Sequence, residues 1–260
     1  MGKFDGILIC SDWDGTLRTK YGIPKNNIEA INYFQQNGGL FTICSGRPLD
    51  YLLDFFDEIR PNTYVLTLNG AIIKHPDTDE VLFEGFVDKS AEIIVKRLMD
   101  SGISFKYISV HRKSDNTVIR ESITTLEEYR KLFDSYKIYK VVFITEEPEE
   151  TLEAKKLITN AKSLGYAAES SWETSIEILK LENTKGFAVR KLKEHLGAKV
   201  LITAGDYEND ISMLKAADIS YAVGDAIPKV KECADRITVP CADGAMASII
   251  EDLKRTVVLP

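Results

Sequence analysis

Long apolar runs are missing from this 260-residue chain: Ile7 to Cys10 falls far short of the roughly 20 apolar residues that a bilayer-spanning helix needs. The first residues also lack the basic, apolar and small-residue succession of a secretory signal. MGKFDG has Gly6 where a myristoylation pattern needs Ser or Thr. A cytoplasmic protein is therefore expected, with no membrane partner. An excess of positive charge is absent too. The formal net charge is -7 and the lysines and arginines are dispersed, so no field attracts nucleic acid or anionic lipid. A small anionic substrate stays open, because a bound cation and one or two local basic groups reverse the sign of a single pocket.

Cysteine is sparse. The four cysteines (Cys10, Cys44, Cys233, Cys241) form no C-x-x-C pair, and Cys10 and Cys44 lie in apolar strand-like runs. Buried free thiols are expected rather than a disulfide or zinc site. His75, His111 and His195 share no ligand spacing. Internal repeats and low-complexity segments are lacking as well.

What the chain does have is an ordinary globular composition, 44% hydrophobic and 28% charged, at a length near the limit for one core. Short β-type runs alternate with amphipathic helical stretches, which predicts an α/β fold, doubly wound around a mostly parallel sheet. Strands are expected at 7–10, 40–44 and 63–68, with helices over "NNIEAINYFQQ" and 49–59 between them. After residue 183 the alternation returns, with helices over 186–197 and "NDISMLKAAD", strands "KVLITA" and "ISYAV", and two further helices around "RITV".

Between about residues 84 and 182 the pattern changes. Helices at 88–101, 125–134 and 149–164 mix with strands at 104–110, 117–121, 138–145, 166–171 and 175–181, an order that suits an antiparallel sheet with helices on one face. The expected organisation is a core domain of residues 1–83 and 183–260 with an inserted α+β domain at 84–182.

In a parallel α/β sheet the ligand site lies beyond the carboxyl ends of the strands. The residues there are Asp12 and Asp14, then Ser45-Gly46-Arg47, then Asn69-Gly70, then Asp206 with Asn209-Asp210. Carboxylates gathered at one sheet edge raise one another's pKa unless a cation sits among them. A hard divalent ion solves that. Magnesium fits better than calcium, since it binds one or two carboxylates together with a substrate phosphate. "DWDG" also fails as an EF-hand loop, because Leu17 and Ile23 fall where that loop needs glycine and glutamate.

An ionised Asp12 could attack phosphorus, and Asp14, two residues on, could give a proton to the leaving oxygen and later take one from water. Ser45 and backbone N–H groups near Gly46 would hold phosphoryl oxygens. Lys185, in "NTKGFAV" at the re-entry from the insertion, would supply the cation.

"ILICSDWDGTL", "ICSGRP", "NTKGFAV" and "GDYENDISML", in that order, resemble the four signature motifs of the haloacid dehalogenase-like superfamily, and "TLNGA" and the tail resemble its Cof-like branch. That resemblance implies a Rossmann-like core with a C2B-type cap between the second and third motifs. It implies that Asp12 is the nucleophile that becomes an aspartyl phosphate and that Asp14 is the general acid/base. Ser45 and Lys185 would hold the transferring group. Magnesium would bind to the Asp12 and Asp206 side chains and the Asp14 carbonyl, with Asp210 supporting. Asn209, Gly46, Arg47 and Asn69 would lie near phosphate or substrate.

Two positions depart from the pattern: Trp13 replaces a small or aliphatic residue, and Asp225 stands where many relatives have asparagine. The implied activity is a magnesium-dependent phosphatase for small phosphomonoesters, sugar phosphates first, working as a monomer or weak homo-oligomer. The alternatives are a phosphosugar mutase and a non-catalytic metal- or phosphate-binding regulator.

Overall fold

The computed structural model describes residues 2–115 and 117–256. In chain order it begins β1 (Ile7–Ser11), α1 (Lys25–Gln36), β2 (Leu40–Ile43), α2 (Leu49–Leu53), β3 (Val65–Thr67), β4 (Ile72–Lys74) and β5 (Val81–Glu84). Then come α3 (Glu92–Met99), β6 (Phe105–Ser114), β7 (Thr117–Ile123), α4 (Leu126–Ser135), β8 (Ile138–Thr145), α5 (Pro148–Leu157), β9 (Tyr166–Glu169) and β10 (Ser175–Lys180). The chain closes with α6 (Lys185–Leu196), β11 (Val200–Gly205), α7 (Ile211–Leu214), β12 (Ile219–Ala222), α8 (Pro228–Cys233), β13 (Arg236–Ile237) and α9 (Ala245–Thr256). These elements form two compact units, Met1–Leu82 with Lys185–Pro260, and Phe83–Thr184.

The discontinuous unit holds a parallel sheet in the order β13-β12-β11-β1-β2. β1 sits inside it, and all five of its residues are buried, as a strand covered on both faces requires. Ile7 and Ile9 pack with Phe34 of α1, Phe41 of β2, Ile202 of β11 and Ile250 of α9. Each such side chain removed from water contributes about 1.5–3 kcal/mol. The core therefore fixes the strand whose end carries the site.

The second unit is a five-stranded antiparallel sheet, β7-β6-β8-β10-β9. Val110, Val141, Phe143, Ile176 and Ile178 pack on one face against Ile94, Leu98, Tyr129 and Ala154 of α3, α4 and α5. Alternation along the strands puts His111, Lys140 and Glu177 on the other face. Lys140 and Glu177 form a buried ion pair there.

Several elements are shorter than the periodicity predicts. The expected 49–59 helix ends at Leu53, because the following N–H groups of Phe55, Phe56 and Glu58 bond three residues back and tighten the chain into turns. The expected 149–164 helix stops at Leu157, and Ala161–Leu164 winds separately as a 3-10 turn closed by Gly165. The helix over "NDISMLKAAD" shrinks to Ile211–Leu214, preceded by a 3-10 turn at Glu208–Asp210. β4 and β5 were not expected as strands; they join β3 in a small three-stranded sheet. All four cysteines are free. Among the described residues no helix is long and apolar enough to cross a membrane.

Candidate active site

β1 ends at Ser11, and the Asp12 N–H still bonds the Ala204 carbonyl of β11, so Asp12 is held at the strand's carboxyl end. The chain then turns sharply: the Leu17 and Arg18 N–H groups both reach the Trp13 carbonyl, and Gly15 bonds Arg18. Gly15 has φ +81, and a Cβ there would stand 2.5 Å from Asp206 Oδ2. Only glycine allows both the left-handed turn and this approach. The ring of Trp13 is fully buried in the core against Phe55, with centroids 5.2 Å apart, while Asp14 is exposed.

Lys185 opens α6 and is fully buried. Its ammonium donates to Asp12 Oδ1 at 2.5 Å and to Asp210 Oδ1 at 2.6 Å. The glycine after it explains how α6 gets close enough: a Cβ on Gly186 would fall 2.2 Å from the Ser212 carbonyl oxygen of α7. Asp210 is also fully buried, and its Oδ2 accepts from the N–H groups of Asp206 and Tyr207 at 2.9 and 3.1 Å. Both oxygens of Asp210 are thus engaged in holding neighbours, which fits a supporting group. Asp206, just beyond β11, accepts at Oδ1 from Thr16 Oγ1 at 2.8 Å.

Asp12, Asp206 and Asp210 bring carboxylate oxygens within 4.8 Å of one another. With one ammonium among three carboxylates, two negative charges are left over. The electrostatics follow. Burial, then the Asp210 carboxylate, push Asp12 well above the ordinary carboxylate range, against the pull of Lys185. Burial and Asp210 likewise raise Asp206 to about 7. Burial works against the charge on Lys185, but Asp12 and Asp210 outweigh it and hold the ammonium pKa well above the ordinary value. An all-oxygen, net-negative donor set of this kind suits a hard divalent ion.

The remaining sequence-predicted residues surround this group. Ser45 is buried beyond β2, its hydroxyl accepting from the Arg47 N–H at 3.1 Å. Its backbone is braced from both sides, donating to Leu66 and accepting from Asn69, each at 2.9 Å. Gly46 follows, half-buried. Asn69 is fully buried at φ 62 in the turn after β3, and its amide oxygen accepts from Asn209 Nδ2 at 3.2 Å. The carboxylate of Asp14 stands apart from the acidic trio, paired with Arg47. Asp225 caps the backbone N–H of Cys241 at 3.1 Å, a local structural contact.

Sequence reasoning overlooked Thr16 and Gly15. The signal was in "DWDGT", where a glycine permits the turn and a hydroxyl two residues past the second aspartate can reach a neighbouring strand end.

An α/β fold that gathers acids and a buried lysine at its strand ends defines a class of phosphoryl-handling hydrolases. The chain belongs to the haloacid dehalogenase-like hydrolase family, whose model matches residues 9–250. Among curated proteins it is 29% identical to YxeH of Bacillus subtilis (strain 168), a candidate phosphatase, over 95% of this chain and 97% of that protein. It is 25% identical to phosphatase YwpJ of the same organism, over 95% and 99%. Phosphoglycolate phosphatase 2 of Saccharolobus solfataricus is 27% identical, over 89% and 85%. These names support a phosphoric monoester hydrolase. In fold the chain is similar to a haloacid dehalogenase-like hydrolase from B. subtilis, with TM-score 0.81 and 21% identity over 95% and 99% of the two chains. It is also similar to the HAD subclass IIB sugar phosphatase BT4131, with TM-score 0.75 and 20% identity over 95% and 98%.

Proposed function

We propose that this protein is a magnesium-dependent phosphatase of small phosphomonoesters, with sugar phosphates as the leading substrate class, working through an aspartyl phosphate on Asp12. The observation that carries the reading is the buried Lys185 bridging Asp12 and Asp210, with Asp206 beside them. In the first step a carboxylate oxygen of Asp12 bonds to phosphorus as the ester P–O bond breaks, and Asp14 protonates the departing alkoxide. In the second, water attacks the same phosphorus, Asp14 takes its proton, and the P–O bond to Asp12 breaks, releasing inorganic phosphate. Lys185, the Ser45 hydroxyl and backbone N–H groups near Gly46 neutralise and orient the phosphoryl oxygens, and Asn209 lies where it can add a donor.

The side chains of Asp12 and Asp206 and the Asp14 carbonyl would hold magnesium, with Asp210 supporting. When bound, the ion supplies the positive charge that keeps Asp12 ionised and offsets the charge of a phosphate dianion. The inserted residues 83–184 serve in this reading as the cap domain. The sugar-phosphate assignment draws on BT4131, named a sugar phosphatase, and is the part that a substrate panel decides.

The test is phosphate release from sugar phosphates, phosphoglycolate, nucleotides and p-nitrophenyl phosphate, with magnesium and with chelator. Turnover that needs magnesium and disappears in Asp12→Asn supports the mechanism, and the rate ranking names the substrate class. Wild-type turnover in Asp12→Asn, after excluding deamidation and contaminating phosphatase, overturns it.

A further inference from the structure

Asp14 and Arg47 meet at the mouth of the strand ends: Arg47 Nε donates to Asp14 Oδ2 at 2.8 Å and Nη2 reaches Oδ1 at 3.4 Å. Both side chains are nearly half exposed, 47% and 45%. An exposed pair on long side chains is ordinarily weak, because fixing one geometry costs rotamer entropy and water screens the charges. Something must hold the arginine if the fork is to persist.

The ring of Tyr51 does so. It lies one helical turn on, in α2, and the Arg47 guanidinium carbon stands 4.8 Å from its ring centroid. Tyr51 in turn packs on Phe55 at 5.4 Å between centroids, and Phe55 on Trp13 at 5.2 Å. Arg18 covers Phe55 at 4.8 Å. A guanidinium over an aromatic face is attracted by the ring quadrupole and loses less solvation than an ammonium would. The stack runs from the buried indole between the two aspartates, through α2, and back to the second aspartate. Backbone bonds fix the other side of Arg47: its N–H meets Ser45 Oγ at 3.1 Å and its carbonyl accepts from Leu68 at 3.2 Å.

We propose that Tyr51 is a positioning residue for the reaction, which acts through Arg47 to orient the Asp14 carboxylate towards the leaving oxygen. This inference rests on the reading of Asp14 as acid/base. It assigns Tyr51 no contact with substrate, and its hydroxyl no part.

A group that positions a general acid matters most when the leaving group is a poor one. Alkoxides such as those of sugar phosphates need the proton, whereas p-nitrophenolate departs without much help. The experiment compares kcat/KM for an alkyl phosphate, glycerol phosphate or a sugar phosphate that the enzyme accepts, with kcat/KM for p-nitrophenyl phosphate. The variants are Tyr51→Leu and Tyr51→Phe, each checked for an unchanged melting temperature.

In Tyr51→Leu the alkyl value is expected to fall about tenfold and the p-nitrophenyl value less than twofold. Tyr51→Phe keeps the ring face and should match wild type on both. Equal losses on the two substrates, no loss on either, or a Tyr51→Phe as impaired as Tyr51→Leu would overturn the proposal. Failure of the underlying reading looks different: wild type itself would then lack magnesium-dependent turnover, or Asp14→Asn would leave the alkyl value untouched.

Discussion

Lys185 shows how much a single side chain carries here. A fully buried ammonium is tolerable because two carboxylates receive it, and those carboxylates are tolerable because of it. Lys185→Met keeps much of the volume and removes the charge, leaving Asp12 and Asp210 unpaired inside the protein. In chelator we expect a loss of about 3–5 kcal/mol of folding stability, read as a lower urea midpoint, together with loss of turnover. A variant within 1 kcal/mol of wild type would mean that the bridge contributes little to the fold. At this scale much was legible in the sequence. Asp12, Ser45 and Asp206 could be placed because each follows an apolar strand run, and strand ends are where such sheets put their sites. Thr16 and Tyr51 could not be singled out in the same way. Their importance comes from a partner on another segment, Asp206 for the one and Arg47 for the other, and periodicity says nothing about who meets whom.

The elements divide in the same manner. β8 and α1 were readable because their apolar residues recur over five or more positions with clear stops, and β1 because its four consecutive apolar residues run straight into a polar, acidic turn. The hairpin of β4 and β5 was not, since runs of three or four residues give no period to measure. α2 was overestimated because the apolar residues of "LDYLLDFFDEI" continue past Leu53 while the backbone bonds shift to three-residue spacing. The antiparallel sheet of the second unit carries a consequence for acid stability. Burial, then the charge of Lys140, pushes the His111 imidazole down to about 3, and the Lys140 ammonium holds Glu177 below its ordinary value despite burial.

In both cases the unfolded chain takes up the proton first. The His111 contribution is therefore complete above about pH 6.5 and is lost as pH falls towards 3, at up to about 1.4 kcal/mol per unit, whereas that of Glu177 begins to be lost only below the ordinary carboxylate range. Urea midpoints at pH 7.5 and 5.0 measure this. His111→Gln should be distinctly less sensitive to that change than wild type, and equal slopes in the two proteins would remove His111 from the account.

For the whole molecule, the proposed magnesium site at the acidic trio would link metal to stability. A cation that binds the folded chain and not the unfolded one stabilises by mass action, about 2.7 kcal/mol at a hundredfold excess over Kd. Magnesium should accordingly raise the melting temperature of the wild type, chelator should reverse the rise, and Asp206→Asn should show little of it. An identical rise in Asp206→Asn would place the ion somewhere else.

The pairing of β1 with β11, Ile7 beside Val200, has a further meaning once the chain is thought of as emerging from a ribosome. Residues 83–184 are a continuous stretch and can close on themselves as soon as they are out. β1 is made before this stretch but must wait, one edge bare, until residues 200–205 arrive after it to flank that edge. Lys185, Asp206 and Asp210 are all made after the insertion. The strand that carries Asp12 is thus made before the insertion and Lys185, Asp206 and Asp210 after it, so a chain halted in between would hold Asp12 without the charged groups that surround it in the folded protein.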